Sequence, residues 1–232
     1  MYSLMRLAET YKNHLDQFFE KLLYFRHISG RVSRVLNDDI GRYTSEESIL
    51  RFASALVISD ISGPTDNGWE INFYTGLTIE TQKEDYEIEL NKISSKQRCL
   101  LFAQSYEAFE RFLKDCLFER SQNEISLKEY AQTLMHPNHR DNFSRVNFPT
   151  GDNLWRIMKR DGGGTFEKLS SLNNLECDLN VVWKVLSKCR HSITHNEGLI
   201  TDPKMLSSLV HYKVLQLLFN INGDINEEVE LS

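Results

Sequence analysis

The chain has 232 residues, 41% of them hydrophobic and 26% charged, with a formal net charge of −6, enough for one large domain or two small ones with a substantial core. That composition is ordinary for a soluble globular protein. The acidic balance excludes a protein that coats nucleic acid through a broad basic surface and leaves room only for a small, local cationic site.

The opening stretch breaks its apolar residues with charges too early for a signal peptide, and no run approaches the roughly 18 apolar residues of a membrane-spanning helix. No membrane partner is expected. The cysteines Cys99, Cys116, Cys177 and Cys189 form no CxxC pair and no disulfide framework. They fit a reducing cytoplasm, the expected location.

In chain order, Tyr2 to Ile28 repeats apolar residues in steps of three and four through Leu4, Leu7, Tyr11, Leu15, Phe18, Phe19, Leu22 and Phe25, which predicts a long amphipathic helix. Glu46 to Ile58 reads as a second helix, with Thr44 or Ser45 as its N-cap. The turn formers from Ser62 to Gly68 follow. Trp69 to Ile79 then alternates with period two, the pattern of a strand, and pairs with part of Leu56–Ile61 as a short β-hairpin.

Asp85 to Arg120 carries the longest helical stripe, through Phe102, Tyr106, Phe109, Leu113, Cys116 and Leu117. Ser126 to Leu134 continues helical. His136 to Gly164 reads as an irregular connection around a short helix, Asn153–Arg160, ending in a flexible turn from Asp161 to Gly164. Leu179 to Thr194 is the next helix, with Asn196 or Gly198 able to cap its end. Asp202 as cap and Pro203 in the first helical position start the last helix, and the acidic tail from Asn222 is expected to fray. The whole reads as a mainly α up-and-down helical bundle, with residues 1–83 an N-terminal helical extension carrying the hairpin and residues 84–232 the helical domain.

The most informative stretch is Cys189-Arg190-His191-Ser192-Ile193-Thr194-His195-Asn196-Glu197-Gly198. It sets an always-charged phosphate clamp beside a side chain that titrates near neutral pH, the minimum equipment for cleaving RNA without a metal. On a helix Arg190 and His195 are offset by about 140°, so they flank the apolar stripe rather than stack. The competing reading is structural. Cations gather at helix C-termini because the macrodipole favours them, and His195 would then be a cap.

The Arg-x4-His spacing, the polar residue after the arginine and the His-Asn-x-Gly ending resemble the motif of HEPN-domain ribonucleases. A weaker echo is Ser105 to Leu113, similar to the helix that packs beside the motif helix in that family. His191 stands where many relatives carry Asn or Asp. The resemblance covers these two helices and their order before one final helix, and implies a HEPN-like bundle.

By that resemblance Arg190 contacts the scissile phosphate and stabilises developing charge. His195 moves protons around the attacking ribose 2′-hydroxyl and the leaving oxygen. His191 orients phosphate or His195, and Asn196 hydrogen-bonds RNA, although a capping role also accounts for Asn196. Glu107 and Glu110 orient Arg190 or His195 from the neighbouring helix, or simply belong to a solvated face.

The resemblance further implies a homodimer with two motif helices facing each other, metal-independent cleavage of RNA and not DNA, and a setting as a toxin or antiviral effector with an antitoxin or regulatory partner. The alternative is a noncatalytic HEPN-like module that binds RNA or nucleotide. A third reading is a plain helical interaction protein.

Other chemistries are weakly signalled. His191 with His195, and His136 with His139, are close pairs, but no His-Glu-x-x-His or metal-spaced cysteine set accompanies them. The Gly162–Gly164 run lacks the Lys-Ser/Thr of a phosphate loop. Neither a metal nor a cofactor is expected.

Overall fold

The computed structural model describes residues 2–45, 52–59, 72–173, 178–195, 199–200 and 229–230. Among them the chain is mainly helical, with five α-helices: α1 (Tyr2–Tyr43), α2 (Tyr86–Asn123), α3 (Ile125–Leu134), α4 (Gly151–Ser171) and α5 (Leu179–His195). Strands β1 (Phe52–Ser59) and β2 (Asn72–Thr81) form one antiparallel pair, and β3 (Leu199–Ile200) and β4 (Val229–Glu230) form another. None of the described helices is long and apolar enough to cross a membrane. Contacts divide the chain into two units, residues 1–28 with 98–232, and residues 29–97.

In the first unit, α2, α3 and α4 enclose a core of Leu117, Leu127, Ala131, Phe148, Leu154 and Ile157. Phe118 and Phe143 close its edge, each meeting Phe148 nearly edge-on, an arrangement favoured by the ring quadrupoles. A second, aromatic layer joins α1, α2, α4 and α5. Trp155 and Trp183 stack at 4.6 Å and 10°, Phe166 meets Trp155 edge-on, and Tyr106 and Phe109 lie against Trp183. Phe18 of α1 completes the layer against Phe109 and Phe112.

The junction between α4 and α5 is polar and well satisfied. Asp178 accepts from Ser170 Oγ at 2.7 Å and from the Asn180 backbone N–H at 2.8 Å, the second bond being an N-terminal cap for α5. These bonds hold the Asp178 carboxyl below its usual range, Ser170 being the largest contributor.

The second unit holds the hairpin and the parts of α1 and α2 next to it. Tyr43 packs on Tyr86 with ring centroids 4.7 Å apart, and Lys83 Nζ donates to the Ser45 carbonyl. In the hairpin Val57 pairs with Tyr74 and Ile58 with Phe73, with a bulge between Ala55 and Val57.

Several sequence expectations change. α1 does not stop at Ile28 but runs to Tyr43, because half-buried Ile28, Val32, Leu36 and Ile40 continue a stripe at four-residue spacing. Gly30 sits within it at a propensity cost of about 1 kcal/mol. The helix ends where Thr44 Oγ1 donates to the Ile40 carbonyl at 2.6 Å.

The helix expected over Glu46–Ile58 is replaced from Phe52 onward by strand β1, whose backbone bonds are met by β2. The connection expected around Asn153–Arg160 is instead the long helix α4. At the expected turn Gly163 has a non-helical backbone (φ +47°, ψ −135°), so the glycine run is a kink at which two helical segments meet. Within the acidic tail, Val229 and Glu230 pair with β3. The helix expected after Asp202 and the cap expected at Asn196 or Gly198 lie outside the described residues.

Candidate functional site

The last turn of α5 is positioned by its apolar side. Trp183, Val185, Cys189 and Ser192 are buried, which fixes the helix rotation and leaves Arg190 half-buried with His191 and His195 exposed. With about 100° per residue, His191 lies between Arg190 and His195 on the accessible arc.

Arg190 reaches back to α2. Its Nη2 donates to Glu107 Oε1 at 2.9 Å, with the arginine side chain 30% and the glutamate 49% exposed. Arg190 Nε is buried and makes no hydrogen bond. Tyr106, next to Glu107, is buried in the aromatic layer. Burial pushes its hydroxyl up to about 12, with the neighbouring Ser187 and Arg190 opposing. The guanidinium thus has its Nε buried and one carboxylate on its Nη2. A guanidinium held in this way can pair with carboxylate or phosphate oxygens.

The histidines form their own pair. The His191 and His195 rings are 4.6 Å apart at 44°. Thr194 Oγ1 donates back to the carbonyls of Arg190 at 3.0 Å and His191 at 3.2 Å, the back-bond common for Thr within a helix. The His195 ring lies against His191.

Glu110 goes elsewhere. Its Oε1 accepts from the Gly151 backbone N–H at 2.6 Å, where α4 begins and Thr150 supplies no side-chain cap. One turn after Glu107, α2 thus provides the anionic cap of α4, the partner expected for an exposed helix N-terminus. Asn196 lies outside the described residues. Tyr106 and Ser187 were not expected near Arg190, and only the apolar stripe of α2, which contains Tyr106, hinted at the former.

The structure therefore brings Glu107 to Arg190 and His191 to His195. His136 and His139 form a separate exposed pair at 5.7 Å. Among the described residues no three His, Cys, Asp or Glu side chains gather as a metal-holding group. Comparison with family models, curated proteins and solved structures finds no match to this chain.

Proposed function

We propose that the end of α5 is the active site of a metal-independent endoribonuclease. The observation that supports this reading is the juxtaposition, on one accessible turn, of a carboxylate-oriented guanidinium and two exposed, mutually contacting imidazoles. Arg190 binds the scissile phosphate and stabilises the charge that develops on it. His195 takes the proton from the ribose 2′-hydroxyl or delivers one to the leaving oxygen, with His191 orienting it. The 2′-oxygen attacks phosphorus, the 5′-oxygen leaves with a proton, and a 2′,3′-cyclic phosphate remains. One arginine and one histidine are a sparse set, and a second copy of the chain supplies the complementary pair. Such an activity suits a toxin or antiviral effector held in check by an antitoxin or regulatory protein.

One observation favours a second reading, a noncatalytic module that binds RNA or nucleotide. Glu107 already occupies one edge of the Arg190 guanidinium, so an incoming phosphate must share or displace it, and an anion-binding role needs no proton transfer.

The test is chemical. Purified protein is incubated in excess EDTA with a structured RNA and with DNA of the same sequence. The ribonuclease reading expects cut RNA ending in a cyclic phosphate and intact DNA. Binding without cleavage, across several RNAs, moves the assignment to the noncatalytic module.

A further inference from the structure

The first helix presents an apolar stripe away from the core. Phe18 points inward to Phe109 and Phe112. On another side of the same turns Leu15, Phe19 and Leu23 are 36%, 54% and 69% exposed. Residues four apart lie above one another on a helix, so these three form one continuous ridge. Contiguous apolar surface of this kind marks an interaction site more often than idle surface.

The groove along this ridge is lined by Asp16, Phe19, Glu20, Leu22, Leu23 and Arg26. That set is symmetric in the chain. Asp16 and Arg26, Phe19 and Leu23, and Glu20 and Leu22 each lie equally far on either side of Lys21. Lys21 itself is exposed and projects about 200° from Phe19, away from the ridge.

An antiparallel copy of the helix crossing at Lys21 therefore sets Phe19 against the partner's Leu23, and Leu23 against the partner's Phe19. It also sets Asp16 against the partner's Arg26, and Arg26 against the partner's Asp16. Such self-complementarity, with residue i meeting j and j meeting i, is the requirement of a two-fold interface. The charges fix direction, since a parallel pairing in register would oppose Asp16 to Asp16 and Arg26 to Arg26.

We propose that residues 15–26 of α1 are a homodimer interface, occupied by the same segment of a second copy in antiparallel orientation. This interface lies on α1, apart from the end of α5 where the ribonuclease reading has a second copy complete the site, and its test does not depend on that reading.

The experiment is sedimentation equilibrium on the full chain and its variants, with circular dichroism as the folding control. Wild type is expected to dimerise reversibly. Phe19→Glu and Leu23→Glu, at exposed positions, are expected to keep the fold and raise the dimer Kd about thirtyfold or more, the effect of losing a central anchor.

Register is tested by charge. Asp16→Arg and Arg26→Asp are each expected to weaken self-association about fivefold or more, because each turns both ion pairs into repulsions. An equimolar mixture of those two variants is expected to form a heterodimer, and the chain carrying both changes to recover the wild-type Kd. A monomer at all concentrations, or a dimer indifferent to Phe19→Glu and Leu23→Glu, overturns the proposal. Arg190→Ala, which leaves α1 untouched, is expected to dimerise normally whatever it does to RNA.

Discussion

Arg190 Nη2 donates to Glu107 Oε1 at 2.9 Å, tying the last turn of α5 to α2 across 83 positions of sequence. The pair is half-exposed, so its effect on stability is expected to be small, whereas under the proposed function it bears on what Arg190 can bind. Exposed ion pairs contribute about 0–1 kcal/mol, whereas a carboxylate on the guanidinium competes directly with any phosphate.

Glu107→Gln is therefore expected to change unfolding free energy by less than about 1 kcal/mol and to tighten RNA binding. Denaturant titration and a binding isotherm at fixed salt check the two parts together. Unchanged RNA affinity would mean that phosphate does not meet Arg190 on the Glu107 side.

Glu110 is expected to behave in the opposite way. It accepts from the Gly151 N–H at the start of α4, so Glu110→Ala removes a helix cap and costs about 1–2 kcal/mol of stability. Gly151 has a φ of +58°, and Gly151→Ala is expected to cost about 1–2 kcal/mol through backbone strain. Thermal denaturation of both variants decides. If Glu110→Ala were as stable as wild type, its bond to α4 would carry no weight.

The junction at Asp178 gives a pH dependence. Its carboxyl is held below its ordinary value, chiefly by the Ser170 hydroxyl. A depressed folded-state pKa means stability that is fully present above the unfolded value and lost as pH falls through the folded value. Asp178→Asn is thus expected to lower stability at pH 7 and to flatten the acid limb of the stability profile below about pH 4. An unchanged acid limb in equilibrium unfolding would contradict this role.

The aromatic layer should dominate the energetics of the first unit. Trp183 is 2% exposed and touches Trp155, Tyr106 and Phe109, so Trp183→Ala is expected to cost about 3–5 kcal/mol. Its buried Nε1 makes no hydrogen bond, which makes Trp183→Phe the milder change. Trp155 Nε1 donates to Asn180 Oδ1 at 3.0 Å, so Trp155→Phe also leaves that acceptor without its donor. Chemical denaturation of the three variants ranks them.

The sequence made α2 and α5 legible because their buried residues repeat with helical period, and the hairpin because Trp69–Ile79 alternates. It misled where local signals compete with tertiary ones. Ser29-Gly30 looks like a stop, yet the stripe through Val32, Leu36 and Ile40 carries α1 onward. Phe52–Ser59 lacks strict alternation, and only its pairing with β2 makes it a strand. The glycines after Asp161 do break the helical backbone, at Gly163, but a second helical segment follows at once instead of a loop.

At the site, the spacing of Arg190, His191 and His195 announces a shared helix end, since four residues is one turn. That Glu107 serves Arg190 while Glu110 caps α4 is set by how α2 packs against two other helices. No local pattern around either glutamate encodes it.

The most direct measurement is the rate of RNA cleavage in excess EDTA by wild type, Arg190→Ala and His195→Ala, each shown to be folded by circular dichroism. The ribonuclease account expects wild type to cut and each variant to lose at least about a hundredfold in rate, the scale of losing a charge-stabilising or proton-transferring group. Equal cleavage by all three proteins would contradict it, because the activity would then belong to residues other than Arg190 and His195.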